Sequence, residues 1–321
     1  MKQLRGVWRE FTALVLPVAC AGCGRPREPS GVCAECAGAV YGGEPGRVRP
    51  SPEPPGLPVV HAAARYEDAP RAVLLAHKER GALGLAGVLG RALAGAVRSA
   101  AGEAGGGVVG VGRGWGGEGG EGEEGEPPGA YPPGGWVSAP PVDAMQELVL
   151  VPVPSARRSV AARGQDPVRR IAFVAAGELR RSGTPARVAP VLRQSRRVGD
   201  QAGLNARERL ANLAGALEVV PGGTRLLVGG RTGFRAVSRV VLVDDLMTTG
   251  ASLSEAARAL RAEAARALRA RPGAYARRRG RPGRSGEYFR TPAGRPGNSG
   301  FPSIAAAVVA APPKSFEINW N

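Results

Sequence analysis

The sequence predicts an α/β protein, a mainly parallel sheet flanked by helices, with a small cysteine-bearing appendage at its N-terminus. Three observations predict it. Residues 148–153 (LVLVPV) and 240–243 (VVLV) are continuous apolar runs rich in β-branched side chains, the pattern of strands buried on both faces of a parallel sheet. Each run is followed by a loop and then by apolar residues at helical spacing, the alternation of strand and crossover helix. A third run, 304–311 (IAAAVVAA), supplies the next strand.

The chain of 321 residues is long enough for one large or two small domains, with ample length for a core. Its 49 glycines and 29 prolines point to unstructured segments within a globular protein. The net charge of +17 has two sources: residues 155–209 hold 13 arginines against 4 acids, and residues 261–300 hold 11 against 2. The first cluster suits a polyanionic substrate and the second reads as a solvated, nucleic-acid-binding tail. No stretch approaches the roughly 18 apolar residues of a membrane-spanning helix. The apolar run 11–19 contains Pro17 and is only a weak mimic of a signal peptide. A cytoplasmic protein with no membrane span is expected.

The four cysteines, Cys20, Cys23, Cys33 and Cys36, form two C-x2-C knuckles nine residues apart, with glycines for tight turns. Four thiolates at this spacing can converge on a tetrahedral ion, so a structural zinc ribbon over residues 1–50 is predicted, in preference to two disulfides or free thiols. With every position filled by protein, Zn²⁺ there folds the N-terminus and does no catalysis. On this reading Cys20→Ser or Cys36→Ser unfolds the ribbon and leaves the rest intact.

A Pro-rich connector covers 41–58, followed by a strand at 59–66 and helices at 69–81 and 83–99. His61 and His77 read as core or surface positions, and Lys78 as a solvated helix residue or one that reaches a diphosphate. Residues 100–141, rich in Gly, Glu and Pro, cannot bury enough apolar surface to offset their ordering entropy and read as a disordered insertion. After the strand at 148–153 comes an arginine-bearing loop with Arg157, Arg158 and Arg163, then a helix at 167–180. Residues 191–217 are polar and basic before turning helical, and 226–228 read as a short strand.

The most informative stretch is 240–252, VVLVDDLMTTGAS. The strand ends on Asp244 and Asp245, placing two carboxylates at the carboxyl edge of the sheet, where open α/β folds bind ligands. Thr248, Thr249, Gly250, Ala251 and Ser252 then make a small turn into a helix that opens at Leu253. Exposed N–H groups, the positive end of the helix dipole and a close-approaching glycine make an anion site. Adjacent carboxylates repel a phosphate but accept hydrogen bonds from vicinal hydroxyls. A ribose 5-phosphate offers both ends of that pattern. Taken alone, the stretch also fits a buried strand that ends in solvated acids before an ordinary Thr/Ser-capped helix.

This stretch resembles the phosphoribosyl-diphosphate (PRPP) motif of the type I phosphoribosyltransferases, in which the acids hold the ribose hydroxyls and the turn holds the 5-phosphate. The full order of features is similar to the ComF family (ComFC-type), double-zinc-knuckle proteins with such a domain that are linked to competence and DNA uptake. The resemblance rests on the cysteine knuckles, on Tyr66 with the helix through Lys78, on VPVP and the Arg-Gly loop, on Arg193, Gln201, Arg209 and Asn212, and on DDLMTTGAS. The family's Arg-Gly-Phe-Asn-Gln is here Arg163-Gly164-Gln165-Asp166-Pro167. The resemblance implies a phosphoribosyltransferase-like domain over 58–321 with insertions at 100–141 and 271–303. It further implies PRPP with Mg²⁺ as substrate, Asp244 and Asp245 as catalytic residues, a diphosphate grip from Arg157, Arg158 and Arg163, and a flexible hood over 191–217. Transfer of 5-phosphoribose to an acceptor with loss of diphosphate is the leading expectation. The alternative is a non-catalytic PRPP- or nucleotide-binding factor that partners DNA or the DNA-uptake machinery.

Overall fold

The structure, a computed structural model, describes residues 19–26, 28, 30–79, 81–103, 147–155, 164, 166–196, 198–199, 203, 205–228, 239–269 and 303–316. In chain order the helices are α1 (Ala34–Tyr41), α2 (Asp68–Glu79), α3 (Ala86–Glu103), α4 (Pro167–Arg181), α5 (Ala206–Leu213), α6 (Gly223–Val228) and α7 (Ala251–Arg269). The strands are β1 (Gly46–Val48), β2 (Val60–Arg65), β3 (Leu148–Pro152), β4 (Ala186–Val188), β5 (Leu192–Gln194), β6 (Leu217–Val219), β7 (Arg239–Leu246) and β8 (Ile304–Ala311).

Six strands form one sheet in the order β1-β2-β8-β7-β3-β4, parallel throughout except for the antiparallel edge strand β1. The expected mainly parallel sheet with flanking helices is therefore present. Side-chain alternation divides the core in two. Leu148, Leu150, Val241 and Val243 face α3 and α4, whereas Val149, Val151, Val240 and Leu242 face α7. With both faces covered, no position of 148–151 or 240–243 meets water, which is why their sequence is a continuous apolar run. Small residues set how closely the layers pack: a Cβ on Gly90 of α3 would lie 2.4 Å from a side-chain carbon of Val174 on α4.

The topology creates a crevice. From β3 the chain crosses through α4 to β4, toward one edge of the sheet, whereas from β7 it crosses through α7 to β8, toward the other. The loops leaving β3 and β7 at their carboxyl ends therefore part in opposite directions, making the switch point at which open α/β sheets take ligands.

Several elements differ from expectation. β7 does not end on the acids: Asp244 pairs with Val308 and Leu246 with Ala310, so the ladder runs one residue past them. The motif helix opens at Ala251, two residues before Leu253. Residues 226–228 belong to α6, not to a strand: Leu227 is buried while Leu226 is exposed, a spacing that three residues cannot assign. α3 runs to Glu103 with Ala100 buried, so the first four residues of the supposed 100–141 insertion are helical; residues 104–141 and 271–302 lie outside the described residues. The connector at 41–58 contains β1. The 191–217 segment contains β5, which pairs antiparallel with β6, with α5 between them.

α7 and this two-stranded unit are joined by one buried carboxylate. Glu255 accepts from the Leu217 N–H at 3.0 Å and from Arg258 Nε at 2.6 Å and NH2 at 2.8 Å. Burial would raise its pKa, but these bonds and the Arg258 charge outweigh burial and lower it. A carboxyl depressed by folding stabilises above its unfolded value and loses that contribution as pH falls through the folded value. Glu255→Gln should therefore cost about 1–3 kcal/mol near pH 7, and the difference from wild type should shrink below about pH 4, as read by denaturant melts at both pH values.

Candidate functional site

The four cysteines come together as the spacing predicted. Their sulfurs lie within 4.8 Å of one another, and Cys23 and Cys33 Sγ are 3.8 Å apart. Thiolates about 2.3 Å from a tetrahedral zinc stand roughly 3.8 Å from each other, so the set fits a metal ion such as zinc. None is in a disulfide. Burial would raise the Cys20 thiol, but the N–H groups of Cys23, Cys33 and Gly22 bring it down to about 6. Cys36 is pushed up by burial and by its three sulfur neighbours. Gly22 cannot be replaced cheaply: a Cβ there would be 2.6 Å from Cys36 Sγ.

The cluster is not an appendage. Cys20, Cys33 and Cys36 share one core with Val73 and Leu74 of α2 and with Leu85, Leu89 and Leu93. The residue that α2 brings to the sheet edge is Lys78. Its Nζ lies 2.9 Å from Asp245 Oδ2 and 3.2 Å from Oδ1, and the Asp245 side chain is only 5% exposed. Asp244 is half-buried, with Oδ1 accepting the Asp245 N–H at 2.8 Å. Burial first, and then the adjacent Asp245 carboxylate, push the Asp244 carboxyl well above the usual range, with Lys78 pulling the other way. Solvent still reaches Asp244 and moderates the rise, but two acids side by side fix its direction. The arrangement is a pair of carboxyl acceptors beside a cation.

One step along the chain, Thr248 is exposed, Thr249 and Ser252 are half-buried, and Gly250 and Ala251 are buried. Among the described residues, no acceptor takes the N–H groups of 248–253. Gly250 has φ +72°, and a Cβ there would meet Leu57 at 3.1 Å and Pro50 at 3.3 Å, so glycine is required both by conformation and by space. Those contacts come from the connector, which runs as a strap over the start of α7. Ser254 Oγ donates to Pro55 O at 2.6 Å and Arg261 NH1 to Gly56 O at 2.6 Å. From the other side Arg209 of α5 donates through NH1 to Thr248 Oγ1 at 3.2 Å.

The sequence therefore assembled Asp244, Asp245, Thr248, Thr249, Gly250, Ala251 and Ser252 at one crevice, and Cys20, Cys23, Cys33 and Cys36 at a separate cluster. Arg157, Arg158 and Arg163 lie outside the described residues. The loop that carries them has its ends tied: Asp166 accepts from Ser155 Oγ at 3.0 Å and Ser155 N at 3.3 Å, and caps α4 through the Val168 N–H at 3.0 Å. Asp166 followed by Pro167 is thus a helix start, with Asp capping as Asn would. Sequence reasoning missed the Asp245 partnership of Lys78, the strap and the Arg209 contact. Of these, Lys78 carried a signal as a cation at the end of a helix that follows a strand, and Arg209 only as one of the residues that carry the resemblance. His61 is core: its Nε2 lies 3.3 Å from Oε1 of Glu103, the last residue of α3, and burial lowers its pKa. No helix among the described residues is long and apolar enough to cross a membrane.

Compared with family models and with curated proteins, the chain matches none.

Because the cluster and α2 share a core, metal removal should be felt well beyond residues 20–36. The purified protein should hold about one zinc per chain by elemental analysis, and a strong chelator should lower the main calorimetric transition instead of melting a separate small unit. Zinc-free protein with paired disulfides would contradict this, and an unshifted main transition would restore the independent ribbon.

Proposed function

We propose that the crevice binds PRPP and transfers its 5-phosphoribosyl group to an acceptor with release of diphosphate. The observation that carries this reading is the order of chemistry along β7 and α7: an acceptor pair, then a turn whose backbone N–H groups have no acceptor among the described residues, at the point where the β3 and β7 crossovers diverge. Asp244 and Asp245 accept from the ribose 2′ and 3′ hydroxyls. The turn from Thr248 to Ser252 donates to the 5-phosphate through backbone N–H groups and hydroxyls. In the transfer the bond from C1 to the diphosphate oxygen breaks with its electron pair leaving on diphosphate, while the acceptor's lone pair forms the new bond to C1. Positive charge develops on the ribose, and the departing anion needs cations. Lys78 stands beside the acid pair, and Arg157, Arg158 and Arg163 are carried on the loop clamped by Asp166. Mg²⁺ brought with the substrate would supply further charge neutralisation to the diphosphate. Zinc at the cysteine cluster is structural on this reading.

The test is release of diphosphate from PRPP across a panel of purine and pyrimidine bases, amines and ammonia, alongside calorimetric titration with PRPP. Release with one acceptor class identifies the substrate, whereas binding with no release from any acceptor would make the protein a PRPP-binding factor. Absence of binding would end the reading.

The acid pair gives a sharper outcome. Asp245→Asn keeps size but removes a charged acceptor, weakening hydrogen bonds of about 1.5–3 kcal/mol each. PRPP affinity should fall by roughly one to two powers of ten. The melting temperature should move little, since loss of the Lys78 partner is offset by relief of the repulsion between the two acids. A large loss of stability with unchanged PRPP affinity would show that Asp245 is structural.

A further inference from the structure

We propose that Arg209 is the cationic member of the phosphate site, reaching the turn from α5 and gripping the phosphomonoester that the backbone of 248–253 also faces. The inference rests on the PRPP reading of the crevice and adds to it a side chain that lies far from the turn in sequence.

Three observations carry it. The guanidinium is at the turn, since NH1 donates to Thr248 Oγ1 at 3.2 Å. Its Nε is buried without a hydrogen-bond partner, and among the described residues NH2 has none either. The N–H groups of 248–253 likewise lack a described acceptor. Every unsatisfied group gathered here is a donor. A buried donor such as the Arg209 Nε is costly without an acceptor, and one ligand that meets it together with the outward N–H groups of the turn is a dianion with three terminal oxygens. A planar guanidinium matches two of those oxygens in a way an ammonium does not.

Arg209 is also held in place. Asn205 and Glu208 form a reciprocal capping box at the start of α5, at 3.0 and 2.8 Å. Arg196 NH2 bonds the helix's end at Asn212 O and Ala214 O, at 2.8 and 2.9 Å. Glu255 then ties the following strand to α7 through the Leu217 N–H. The side chain is aimed at the turn before any ligand arrives, so the ordering cost is largely met in the fold.

Full-length wild type, Arg209→Met and Arg209→Lys are titrated by calorimetry with PRPP, with ribose 5-phosphate, and with diphosphate plus Mg²⁺, and each is melted. Arg209→Met should weaken ribose 5-phosphate and PRPP alike by on the order of 10- to 100-fold, as loss of a charge-assisted pair implies. Diphosphate binding should be unchanged, and Arg209→Lys should recover part of the lost affinity. Equal loss for all three ligands with a lowered melting temperature in both variants would make Arg209 a prop for the turn and overturn the assignment. Unchanged ribose 5-phosphate affinity in Arg209→Met would overturn it while leaving the PRPP reading standing. Wild type that binds neither phosphoribosyl compound would remove both.

Discussion

A carboxylate with 5% of its side chain exposed, next in sequence to a second carboxylate, is an arrangement that folding opposes unless a cation is brought to it. Lys78 is that cation, and much of the architecture on one side of the sheet serves to deliver it. α2 has to pass over the carboxyl edge and end beside β7, two strands away from β2, from which it departs. Val73 and Leu74 hold α2 in the core shared with the cysteine cluster and Leu85, so the N-terminal knuckles act at a distance as the anchor of the cation. The order of the chain thereby gains a physical reason: the metal-binding fit precedes the site in sequence and supports it in space.

The opposite side of the sheet is organised around the start of α7. The strap at 50–57 closes over Gly250 and bonds Ser254 and Arg261, and Glu255 fixes the β5-β6 unit that carries α5 between its strands. The Glu255 tie takes the Leu217 N–H of β6, and the two strap ties use backbone carbonyls of an irregular segment. Such segments have no ladder of their own, and α7 supplies the side chains that satisfy them. A helix start held by several contacts can keep its first N–H groups directed outward, which is what an anion site requires.

How much of this was legible follows from the range of each interaction. β3, β7 and β8 could be read because burial on two faces leaves no choice but apolar residues, and the turn could be read because its residue types are dictated locally. The end of β7 was read one residue short, since the pairing of Leu246 with Ala310 leaves no mark on residue type. The ion pair between Lys78 and Asp245 joins residues 167 apart, and a lysine on a helix end reads the same whether it faces water or a carboxylate. α6 failed for a different reason: Leu226, Leu227 and Val228 have apolar side chains in both states, and three residues hold less than one helical turn. The connector at 41–58 was read by its prolines as spacer, yet prolines 50 and 55 work as packing surface and acceptor over α7.

The alternation of β7 has one more consequence. Val243 faces the α3 and α4 side, so Asp244 lies toward the α7 side and Asp245 toward the side from which α2 delivers Lys78. Neighbouring residues of a strand diverge, so on the proposed reading the two carboxylates approach the diol from opposite sides of the sheet edge. One layer is braced by the cysteine cluster and the other by the strap and Glu255. On the proposed reading a ligand seated on the acids and the turn would touch side chains held by both, and its affinity would depend on the two braces keeping a common register across β7. That register is set by the parallel pairing of Val151 with Leu242 and of Leu242 with Ala306 at the buried centre of the sheet, where a shift by one residue would exchange the faces of every side chain.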